Sequence, residues 1–228
     1  MSDAGSKIEQ SALRWSIVGY AFMCVAGVTF ALLTHSEAIL LDGVYSGISF
    51  ITALMATRVA RLVRSPGSSM FHFGYAHFEP MLNALRGLLI LGICLFALVS
   101  AVDALLGDGR KLVPGLAVVY GVSVATICLI LAWRQRRLAK QVGSPLLEVD
   151  ARNWFVDGMI STASALAFIT AAVLTSMGHT KAADYVDPTL VVVLVLVMAR
   201  IPLVTFYESL LEILQVAPRK DVQTEVQT

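Results

Sequence analysis

Apolar and polar positions alternate along this chain in long blocks rather than in short periods. Six apolar stretches cover residues 15–33, 38–57, 87–106, 112–133, 155–176 and 188–206. Each reaches the roughly 20 residues that an α-helix needs to cross a ~30 Å hydrocarbon core. A segment in lipid must satisfy its own backbone hydrogen bonds, so stretches of this length predict helices. No period-two alternation suggests a barrel. The expected fold is all-α, a six-helix transmembrane bundle.

Local signals refine the helix starts. Ser144-Pro145 reads as an N-cap followed by proline at the first helical position, so the fifth helix should begin well before its apolar stretch. Ser36 followed by Glu37 gives the second helix a similar start. Pro66-Gly67, with Ser65, Ser68 and Ser69, marks a short loop before His72-Phe73-Gly74-Tyr75. The expected division is a polar tail over residues 1–14, the bundle over 15–218, and a short tail over 219–228, with no second folded domain.

Composition agrees with a lipid environment. Hydrophobic residues make up 57% of the chain and charged residues 14%, against about 25% charged in soluble domains. The formal net charge of +1 gives no broad basic field, so nucleic acid is not an expected partner. Cys24, Cys94 and Cys128 lie singly in apolar stretches and read as small buried hydrophobes. The first apolar run carries no small-residue cleavage site and is expected to be retained. Basic residues are divided unevenly among the links. Lys7, Arg14, Arg58, Arg61, Arg64, Arg86, Arg134, Arg136, Arg137, Lys140, Arg152, Arg219 and Lys220 fall on one side, and only Arg110, Lys111 and Lys181 on the other. The positive-inside rule then puts both termini in the cytoplasm. Arg200, near the inner end of the sixth helix, can snorkel.

Two acids stand deep inside spanning stretches, Asp42 in the second and Asp157 in the fifth. Each costs about 2.5–3.5 kcal/mol to insert at a helix centre, so each points to function. At 1.5 Å per residue Asp42 lies roughly 9 Å below the outer surface and Asp157 roughly 18 Å above the inner one. These depths sum to ~27 Å, so both carboxylates can sit at one level and share a cation. Ser46 follows Asp42 by four residues; Asn153, Asp157 and Ser161 are likewise spaced by four. Asp42-Gly43-Val44-Tyr45-Ser46 is echoed by Asp157-Gly158-Met159-Ile160-Ser161, which hints at an internal repeat with glycines that allow close helix approach. Asp103, Asp184 and Asp187 lie at the outer ends and read as solvated. His72, His77, His35 and His179 read as interfacial or loop residues. Arg86 and Glu79, seven apart, can pair with each other or with other inner helix ends. No nucleophile–base pair, phosphate loop or cofactor box is visible, so neither an enzyme nor a bound cofactor is expected.

Three phrases resemble the cation diffusion facilitator, or cation efflux, family. They are Leu40-Leu41-Asp42-Gly43-Val44-Tyr45-Ser46, Phe73-Gly74-Tyr75-Ala76-His77-Phe78-Glu79-Pro80 and Asp150-Ala151-Arg152-Asn153-Trp154-Phe155-Val156-Asp157. The resemblance implies a proton-coupled exporter of divalent metal, usually zinc, working as a homodimer by alternating access in the cell (inner) membrane. It also implies a metal site of two residues four apart on each of the second and fifth helices. On this chain that set is Asp42, Ser46, Asn153 and Asp157.

The chain departs from the family pattern in ways that bear on cargo. Ser46 stands where zinc members have Asp, and Asn153 where they have His. The loop over residues 65–73 has no acid, so a second metal site there is not expected. The cytoplasmic metal-binding domain that follows in most members would begin where these residues end. An all-oxygen site shifts the expected cargo from zinc toward hard cations such as manganese or magnesium, with iron borderline. With no histidine in the set, exchanged protons would ride on Asp42 and Asp157 themselves. Two other readings remain open: a transport-inactive partner subunit of a related transporter, and a carrier of another cation on the same fold.

Overall fold

A computed structural model of the chain describes residues 3–63 and 78–214. The loop over 65–73 with Pro66-Gly67, the histidines His72 and His77, and the tail over 219–228 lie outside the described residues. Within them the chain is helical, with no strand. α1 is Asp3–Thr34, α2 Glu37–Val63, α3 Phe78–Leu106, α4 Pro114–Val142 and α5 Pro145–Ser176. The sixth span is divided into a short α6 (Thr180–Asp184), α7 (Val186–Met198) and α8 (Arg200–Ile213). Six segments are long and apolar enough to cross a membrane, as expected. Their outward faces are apolar: Leu32, Val25, Phe96 and Leu196 are each about two-thirds or more exposed. In water such a surface would not persist; in lipid it costs nothing.

The helix ends follow the local sequence. Ser144 caps α5 by accepting from Leu147 N, and Pro145 takes the first helical position. Gly143 closes α4 in the left-handed conformation at φ 64°. The α1–α2 turn uses His35 at φ 58°, an uncommon angle for a side-chain-bearing residue. α3 begins nine residues before its apolar stretch, because its polar first turns belong to the same helix. The sixth span breaks at Ala199. Pro202 has no N–H to give the carbonyl of Met198, so the ladder is interrupted there.

Packing sorts the spans into two groups. α1 lies along α2 and α4, and α4 lies along α5 in the most extensive pairing of the molecule. α3 pairs with α7 and α8 and touches α2. Close approach is bought with small residues. A Cβ on Gly43 would fall 2.9 Å from Gly27 Cα on α1, and one on Gly121 would fall 3.0 Å from Ala165 Cα on α5. Gly87 brings α3 against α8, where a Cβ would meet Pro202 O and Phe206 Cβ at 2.9 Å. Without a hydrophobic force between helices in lipid, this contact of backbones is what association runs on.

Polar side chains tie the two ends. At the end where α1 begins, Ser16 Oγ donates to Asp150 Oδ2 at 2.5 Å and accepts from Gln135 Nε2 at 2.7 Å and Trp154 Nε1 at 3.0 Å. This joins α1, α4 and α5. Tyr20 stacks on Trp154 with ring centroids 4.5 Å apart. At the same end Arg134 lies over the Trp15 ring at 5.5 Å and Arg137 over the Trp133 ring at 5.1 Å.

Candidate metal site

Asp42 sits in the second turn of α2 with its carboxylate turned into the bundle. Tyr120 of α4 donates its hydroxyl to Asp42 Oδ2 at 2.7 Å. The Tyr120 ring is held in turn by Phe30 of α1, 5.4 Å between centroids. Gly43, next in sequence, lets α2 press on α1 and so sets the depth at which Asp42 is presented. A cavity of ≈ 20 Å³ opens beside the carboxylate, lined by Asp42, Tyr120, Ser161, Ser164 and Phe168 among others. That volume holds one water-sized species.

Asp157 stands on α5, within electrostatic range of Asp42. Gly158 packs its backbone on Cys128 and Leu129 of α4, as Gly43 packs on α1, so both Asp-Gly steps of the sequence echo make a close helix contact. Asp157 feels the charges of Asp42, Arg86 and Asp150. α2 and α5 meet little directly; α1, α4 and α7 fill the space around the acids. Asp42 borders the cavity beside Tyr120, whereas Asp157 is not among the residues that line it.

Of the four residues expected to form the site, the structure brings Asp42 and Asp157 into electrostatic range. Ser46 is buried one turn along α2, at 3% exposure, and hydrogen-bonds to neither acid. Asn153 is exposed on α5 and likewise bonds to neither. Ser161 is buried and lies against Cys128. Among the described residues no group of three or more His, Cys, Asp or Glu gathers around a common point.

Other neighbours were not singled out by the sequence. Tyr120 contacts Asp42 from 78 residues away, with no signal in the local pattern. Tyr45 and Ser49 follow Asp42 by three and seven residues, on the same face, and their spacing could have found them. Arg86, read as a residue of the inner helix ends, reaches this face of α2 instead and donates to Ser49 Oγ at 3.4 Å. The Glu79 side chain lies outside the described residues, so its expected pairing with Arg86 is not described.

Asp187 corrects a second expectation. Read as solvated, it is fully buried at 0% exposure. Its Oδ1 accepts from Ser36 Oγ at 2.5 Å and its Oδ2 from Glu37 N at 3.1 Å, so it caps the start of α2 from α7. Arg110 pairs with Asp187 at 3.1 Å and with Glu37 at 2.9 Å, and donates to Ser100 Oγ at 3.0 Å. Ser100 in turn donates to Glu37 Oε1. The α3–α4 link, α2, α3 and α7 are thus joined through one guanidinium above the two acids. Asp103 is exposed, as expected.

A family model described as the cation efflux transmembrane domain matches residues 13–214. The chain is also 26% identical over 175 residues to the magnetosome protein MamM of Paramagnetospirillum magneticum, a match covering 75% of this chain and 54% of that protein. The chain therefore spans about half the length of the curated relative it matches. With six apolar spans and the family model running through all of them, it is a multi-pass integral membrane protein. The chain belongs to the cation efflux family, whose transmembrane domain it matches over residues 13–214.

Proposed function

We propose that the chain carries a divalent metal cation across the cell (inner) membrane in exchange for protons, by alternating access. The observation that supports this is the placement of Asp42 and Asp157: two acids deep in different spans and within range of each other's charge. Two carboxylates in a membrane domain are each costly alone, and a dication between them offsets both costs. Ser46 and Asn153 are proposed as neutral oxygen donors that complete the shell once the helices adjust around the ion. An all-oxygen shell favours manganese over zinc by ligand type, with iron between them. A homodimer with cytoplasmic termini is the proposed assembly, and cysteine labels at Lys181 and Arg137 should report opposite sides of the membrane.

The test is metal flux in proteoliposomes under a pH gradient, across zinc, manganese and iron. Asp42→Asn and Asp157→Asn should each abolish flux while the protein still inserts, since losing a buried charge eases insertion. Undiminished flux in both variants would reject the site. A second reading, a transport-inactive partner subunit, is favoured by the exposed position of Asn153 and the lack of a third ionisable ligand among the described residues. It predicts no flux from the chain alone.

A further inference from the structure

The cavity beside Asp42 is walled by two sets of helices. α2, α4 and α5 supply Ala38, Asp42, Tyr120 and Ser161, and α7 supplies Leu194 and Met198. Moving α7 away from α2 would therefore open it. What holds α7 to α2 at the start of both helices is polar. Asp187, in the first turn of α7, accepts from Ser36 Oγ, from Glu37 N and, at 3.4 Å, from Ala38 N. Ala38 thus belongs to both the polar seam and the cavity wall. Arg110 adds the second tie, from Asp187 to Glu37. Its own backbone goes with the α6–α7 side, since Arg110 N donates to Asp184 O at 2.8 Å. Val113, three residues on, is fastened to α1 instead, its N–H donating to Thr34 O at 3.1 Å. Arg110 and Asp187 therefore form one side of the seam, and Ser36, Glu37 and Ala38 the other.

Such a seam can part without leaving orphaned groups. Ser36 Oγ also accepts from Ile39 N at 3.2 Å, so α2 keeps an N-cap of its own when Asp187 leaves. Arg110 can stay with Asp187, and a released Glu37 meets water, which returns the hydration that burial took from it. An apolar seam has no such compensation, because opening it exposes apolar surface to water. We propose that Asp187 and Arg110 form a latch on the start of α2, which closes the Asp42 cavity at that end and must open for a metal to pass there. The structure holds the latched state: Asp187 and Thr34 are 0% exposed, and Ser36 3%. The proposal rests on the transport reading for the need to open, and on the α2–α7 seam for its place.

Thiol labelling of the full chain in lipid vesicles tests it, alongside metal flux. Ser164→Cys, on the cavity wall, serves as the reporter once Cys24, Cys94 and Cys128 are changed to alanine. A membrane-impermeant maleimide is added on the side where α2 begins. The latched protein should react slowly, and Arg110→Gln or Asp187→Asn should react about tenfold faster or more. Should these not fold, Glu37→Gln, Arg110→Met and Asp187→Asn together strand no charge and should show the same gain. Cys94, buried on α3 and kept as the reporter in a parallel series, should stay unreactive throughout. In a second arm, Ser36→Cys and Asp187→Cys are joined by a short, cleavable bis-thiosulfonate. The link should stop metal flux, and a reductant should restore it. Equal labelling with and without the latch, or a linked protein that still carries metal at the unlinked rate, overturns the proposal and leaves the transport reading standing. A gain at Cys94 as well as at Ser164→Cys reports a loosened bundle and also overturns it. If no form of the protein carries metal, the transport reading falls and labelling alone decides the latch: a gain confined to Ser164→Cys supports it, and no gain overturns it.

Discussion

The Tyr120 hydroxyl donates to Asp42 Oδ2 at 2.7 Å, from a helix 78 residues further along the chain. In the bundle interior a carboxylate has few donors available, and this one comes from α4, the helix on whose Cys128 and Leu129 Gly158, the residue after Asp157, also packs. α4 is therefore in contact with both acids' helices. Hydrogen bonds to charged groups contribute about 1.5–3 kcal/mol. Tyr120→Phe should lower metal flux about tenfold or more, and should shift the dependence on metal concentration. Flux unchanged at every concentration would mean that Tyr120 does not bear on the site.

The Gly27–Gly43 crossing sets the depth of Asp42. A Cβ on Gly43 would lie 2.8–2.9 Å from backbone atoms of Gly27 and Val28, which cannot rotate away. Gly43→Val should force α1 and α2 apart at a cost of about 3 kcal/mol or more, the upper end of overpacking. Gly92→Ala is the control, since nothing lies within 4 Å of the added atom; the change should be neutral or stabilising by about 0.5–1 kcal/mol. Thermal melts in detergent measure both.

The Arg110 ion pairs are not ordinary surface pairs. Arg110 and Glu37 side chains are 17% and 18% exposed and Asp187 is fully buried. Exposed pairs contribute about 0–1 kcal/mol. Removing one partner of a buried pair costs about 3–5 kcal/mol, because the other charge is left stranded. Arg110→Ala strands two carboxylates and should lower stability by that larger amount. A loss under 1 kcal/mol would show that water reaches the cluster.

Asn153 is the expected ligand that the structure places on an exposed face. Asn153→His should raise the preference for Zn²⁺ over Mn²⁺ in competition binding if the residue turns inward around the ion, because imidazole suits zinc. No change in the ratio removes Asn153 from the shell.

Much of the fold was legible because lipid leaves few alternatives: twenty apolar residues in a row must be a helix. Where polar residues entered, the apolar pattern fell short of the helix. α3 starts at Phe78 rather than near Gly87 because Asn83 and Arg86 interrupt hydrophobicity without interrupting hydrogen bonding. Ser144-Pro145 corrected the same error for α5, since capping is a local signal. The break at Ala199 follows from Pro202, which the apolar run had absorbed. Asp42 and Asp157 were legible by their cost. Tyr120, Arg86 and the buried state of Asp187 were not, because each depends on partners between 37 and 151 residues away in sequence. Such partners exist only once the helices are assembled.

Trp15 with Arg134 and Trp133 with Arg137 lie at one end of the bundle, on α1 and α4. Indole rings prefer the headgroup zone, and arginines prefer to reach water just beyond it. The two stacked pairs therefore act as a float line, fixing the height at which α1 and α4 ride in the bilayer. α4 at 29 residues and α5 at 32 are longer than the roughly 20 residues that span the hydrocarbon, so their surplus must tilt or project. With α1 and α4 anchored, changes in bilayer thickness are taken up by the helices that lack such an anchor. Lipid chain length then becomes a handle on the level of Asp42 relative to Asp157, with no change to the protein at all.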